Sequence, residues 1–174
     1  MSALVGAGMV VRRDALIATG WPRDQWLEDR IGRRLVSGGD VEIAIRLRGV
    51  GDLWYAPACH LAHHIRRDRT GPMRFLRLVF GLGISSSLSE ALTWPDGVRR
   101  WIARLPSEAF ASAYQVLRSV VRCGRRDATL LDVAATFSYE AGRCAGLLRV
   151  ARRASMGRCP YFGRAAASHP STTL

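Results

Sequence analysis

The chain is 174 residues long and 48% hydrophobic, enough to bury one sizeable core and too apolar for a disordered polypeptide. Its 26 basic residues, all arginine, face 14 acids; the formal charge of +12 attracts polyanions such as nucleic acid, an anionic membrane or diphosphate-bearing substrates and lipid carriers. Cys59, Cys123, Cys144 and Cys159 form no CxxC pair, so neither a thioredoxin-like motif nor a structural zinc site is indicated, and reduced thiols are expected.

Gly6-Ala7-Gly8 leads into Met9-Val10-Val11, which reads as a short strand, followed by a brief helix over 14–18 that Gly20 closes. Residues 21–34 read as a loop whose Trp21 and Trp26, set among mixed charges, suit either a ligand-facing surface or a cap on the core. The spacing of Ile43, Leu47 and Val50 predicts a helix over 40–50, with Glu42 and Arg46 paired one turn apart and Gly51 ending it. A buried strand over 53–56 is broken by Pro57, and a second extended run over 58–65 ends at His63-His64.

Beyond Gly71-Pro72 the pattern turns helical: a helix over 73–81, a serine-rich loop over 85–89, then amphipathic, arginine-rich helices over 107–123 and 127–153. The longest apolar patch, 78–84, is far short of a bilayer span, and 1–8 has no basic flank, so neither a transmembrane helix nor a signal peptide is expected. The tail from 163 reads as frayed.

Ser37-Gly38-Gly39-Asp40 opens the 40–50 helix. On its own, Ser-x-x-Asp is a capping box, in which the acid satisfies free backbone amides. The motif has company, however. Gly6-Ala7-Gly8-Met9-Val10-Val11-Arg12-Arg13 precedes it, and Arg46-Leu47-Arg48, Gly51, Trp54-Tyr55-Ala56-Pro57 and His63 follow in order.

Over residues 5–85 this series resembles the acceptor-side half of family 2 glycosyltransferases of the GT-A fold. The resemblance implies an α/β fold class, a partial GT-A half-domain over 1–95, followed by a helical appendage over 96–162 and a flexible tail over 163–174. It implies that Asp40 is the general base that takes the proton of an acceptor hydroxyl as that oxygen attacks the donor sugar. Gly39 stands where the family usually has a first acid of a Glu-Asp pair. Glu42 fits the pattern too, but points away from Asp40, pairs naturally with Arg46, and reads either as structural or as a support behind the residues that touch substrate.

Gly6, Gly8 and Gly39 would let a sugar approach closely, and Trp21 or Trp26 would stack on it, with Trp54 and Tyr55 left to packing. His63 matches a position from which some GT-A enzymes bind the divalent metal, Mg²⁺ or Mn²⁺, that bridges the donor diphosphate; it also reads as an ordinary strand-end residue. Arg66 and Arg69, in the run with Arg67, Arg74 and Arg77, are suited to a pyrophosphate or simply to solvent.

The acids ahead of Asp40 are Asp14, Asp24, Glu28 and Asp29, and none forms an Asp-x-Asp motif after a strand. The donor-binding half of the resembled enzyme is therefore missing, and the expectation is a fragment, a mis-started reading frame or a degenerate remnant, inactive and without metal alone. Completed, it would take a nucleotide-sugar donor and a carbohydrate or lipid-linked acceptor in cell-envelope synthesis. It would work in the cytoplasm, with a peripheral contact to the inner membrane. The reading from another class is a small basic helical module that binds nucleic acid or an anionic membrane through 99–153, although no nucleic-acid-binding signature is present.

Overall fold

The computed structural model describes residues 8–21, 23, 25, 27, 38–62, 64, 71–94 and 96–157. Its elements are α1 (Arg13–Ala18), α2 (Gly39–Leu47), α3 (Pro72–Leu92), α4 (Gly97–Ala103), α5 (Leu105–Gly124) and α6 (Leu130–Ser155). Of the described residues 69% are helical and none is in a strand, which overturns the expected α/β half-domain. Met9-Val10-Val11 and 53–56 run without regular structure, and Val10, Trp54 and Tyr55 are 96, 86 and 84% exposed. An extended segment gains little until a second strand answers its amides and carbonyls, and a lone pair of strands is barely stable in water. Trp54 and Tyr55 are thus surface side chains, not the packing residues expected.

Pro72 starts α3 at a position where its missing N–H costs nothing. The helix then runs straight through the serines expected to form a loop. Ser85 bonds back to the Gly81 carbonyl at 3.0 Å, and Ser87 donates to the Arg143 carbonyl of α6 at 3.0 Å. By length and apolar composition alone, the resulting 21-residue helix is able to cross a membrane, with 44% of its most apolar window buried inside the protein.

What buries it is α6. Leu76 accepts from the Ser138 hydroxyl at 2.7 Å, Phe80 lies on Gly142, and Ile84 lies on Gly146. Both numbers rise by four at each step, so the two helices run parallel in a constant register. A methyl group at Gly142 would fall onto the Phe80 carbonyl oxygen, and one at Gly83 onto that of Tyr139. At Gly146 it would come within 2.8 Å of the Ile84 carbonyl oxygen. Small residues bring the two backbones together, and serine hydroxyls bond across the seam.

The core gathers at the far end of this pair: Ile84, Leu88, Ala91 and Leu92 of α3, Leu147 and Val150 of α6, Trp101 of α4 and Leu27. Ile45 of α2 packs on its edge. α5 runs antiparallel along α6 through a polar seam, in which the Ser112 hydroxyl donates to Glu140 at 2.6 Å and Arg143 donates to Glu108 at 2.6 Å. Arg104 closes the α4–α5 corner. It pairs with Glu90 at 2.8 Å and with Glu108, and its guanidinium lies 4.2 Å from the Trp94 ring centre and 5.3 Å from that of Trp101.

Candidate functional site

The sequence-predicted constellation centres on the start of α2. Gly38 is its N-cap, one residue later than a Ser37 cap would require, and Asp40 lies in the first turn. There the aligned peptide dipoles favour a negative charge. The Asp40 carboxylate is half-buried, and its Oδ1 accepts from the Val41 amide at 2.9 Å. That bond pins the side chain against its own helix.

The glycine approach is tight. Gly38 and Gly39 are both buried, and a methyl group on Gly38 would meet Leu27 at 3.2 Å and Ser85 of α3 at 3.3 Å. Gly38 thus lets the start of α2 approach Leu27 and Ser85, and the burial of Gly39 leaves it little surface on which a sugar could lie.

Glu42 is fully buried and has a different task. Its Oε2 accepts the Leu27 amide at 2.6 Å, and its Oε1 takes Arg46 at 2.7 and 2.9 Å. Arg46 in turn donates to the Thr19 carbonyl at 3.0 Å and lies 6.0 Å from the centre of the Trp21 ring. The pair therefore ties α2 to the end of α1 and to Leu27, which accords with the structural role read from the sequence. Trp21 is half-buried over Arg46, six positions beyond Asp40 along the chain of α2.

Gly8 is exposed, with φ at +84°, a conformation that favours glycine, and it sits beside Leu61. Gly6, Trp26, His63, Arg66 and Arg69 lie outside the described residues. Among the described residues no three His, Cys, Asp or Glu side chains are grouped so that they could hold a metal ion.

The sequence reading missed the Arg104 junction. Burial works against its charge, but the hydrogen bonds and nearby charges of Glu90 and Glu108 outweigh it and raise the pKa above the ordinary arginine value. The one sequence signal was the four-residue spacing of Arg104 and Glu108; the contribution of Glu90, fourteen residues away, depends on the tertiary fold. No family model, no curated protein and no solved structure matches this chain.

Proposed function

We propose that the chain is the acceptor-side portion of a glycosyltransferase, with Asp40 as the general base. The observation that carries the reading is the ordered motif series from Gly6 to His63. It is supported by the position of Asp40, half-buried in the first turn of α2, where the helix dipole favours a negative charge.

In the proposed step the acceptor hydroxyl gives its proton to the Asp40 carboxylate. Its oxygen forms the new bond to the anomeric carbon, and the bond from that carbon to the diphosphate oxygen breaks. The nucleoside diphosphate leaves with that electron pair. A divalent ion at the diphosphate would neutralise the departing charge, and His63 is the residue the motif series offers it.

The test is sugar transfer by this chain together with the polypeptide encoded upstream in its reading frame. Asp40→Asn keeps the shape and the Val41 bond but loses the basic oxygen, so turnover should fall by about two to four powers of ten with KM little changed. Unchanged turnover would remove Asp40 from the reaction.

A further inference from the structure

α5 wears its polarity inside out. Toward α6 it turns Glu108, Ser112 and Ser119, with Ser112 only 5% exposed and bonded to Glu140. On the opposite face stand Phe110, Tyr114, Leu117 and Val121, at the spacing of one helical stripe, and they are 78, 55, 61 and 46% exposed. A surface helix of a globular protein ordinarily turns such a stripe toward the core.

Charge gives the stripe its context. From Ala109 to Arg126 the chain carries Arg118, Arg122, Arg125 and Arg126 and no acid at all. All four arginines are exposed, and the nearest acid on the helix, Glu108, is turned inward onto Arg104 and Arg143.

We propose that this face lays α5 flat on an anionic lipid bilayer, its apolar stripe in the boundary between headgroups and acyl chains and its arginines on the lipid phosphates. The charge pattern selects this occupant. A second copy would set arginine against arginine, and a nucleic acid would leave four apolar side chains facing a phosphate backbone. The inference makes no use of Asp40, so failure of sugar transfer and failure of membrane binding are read separately.

The experiment is co-sedimentation of the full chain with vesicles of phosphatidylglycerol and phosphatidylcholine, against phosphatidylcholine alone. Binding should be about tenfold or more tighter on the anionic vesicles and should weaken with salt. Leu117→Asp, and separately Phe110→Ser with Val121→Ser, should each weaken it about tenfold or more, while Ile17→Ser on α1 leaves it unchanged. Arg118→Glu with Arg122→Glu should abolish the preference for anionic lipid. These side chains are exposed, so circular dichroism should report an intact fold in each variant. Full solubility beside anionic vesicles overturns the proposal, as does undiminished binding of both apolar variants. So too does a dimer, or retention on DNA, found without vesicle binding.

Discussion

Glu42 and Arg46 show how much one buried pair can decide. Their side chains are 0 and 9% exposed, and the glutamate also holds the Leu27 amide. Glu42→Ala removes the carboxylate that balances a buried guanidinium, and a loss of about 3–5 kcal/mol is expected in urea unfolding. A second prediction concerns Asp132, where the Thr129 amide and then the Thr129 hydroxyl donate to the carboxylate and hold its pKa below the usual carboxylate range. Because the folded value lies below the unfolded one, this contribution is complete above the ordinary carboxylate pKa and is lost as pH falls through the lowered value. Amide exchange in the first turn of α6 should accelerate across that acidic window, and Asp132→Asn should remove the dependence. Thr129→Ala, which deletes the cap itself, should cost about 1 kcal/mol. At this scale Glu42 was legible, since a four-residue spacing to arginine is a local signal. Its bond to Leu27, fifteen positions away, was not.

Among the elements, the α3–α6 seam depends on absent side chains. Gly142→Ala would drive a methyl group into the Phe80 carbonyl, and overpacking of this kind costs about 1–3 kcal/mol or more, read as a lower thermal midpoint. Gly124→Ala makes the contrast. Nothing lies within 4 Å of its added carbon, so the same substitution should leave stability unchanged or raise it by a few tenths to about 1 kcal/mol. The serines of α3 explain why the sequence misled here. Clustered serine reads as a loop because its hydroxyl competes for backbone groups. In α3 the Ser85 hydroxyl bonds back to its own helix and the Ser87 hydroxyl bonds across to α6, so smallness mattered more than polarity. The helices α2, α5 and α6 were located within a few residues, because their apolar periodicity is local.

For the molecule as a whole, the strands expected from the sequence fared worse than the helices. Strands stand or fall on neighbours, and Val10, Trp54 and Tyr55 find none among the described residues. The motif series names a candidate base, and five of the other residues read as its site, Gly6, Trp26, His63, Arg66 and Arg69, lie outside what the structure describes. The parallel register of α3 and α6 has a consequence for biosynthesis. Ser138 meets Leu76 across 62 positions, so α3 leaves the ribosome long before the helix that covers it exists. Until α6 arrives, an apolar rod of membrane-spanning length is bare on the side that should be seamed shut. An apolar surface left open in this way is prone to association, so the order of synthesis makes the interval before α6 the one in which the chain is most exposed to aggregation.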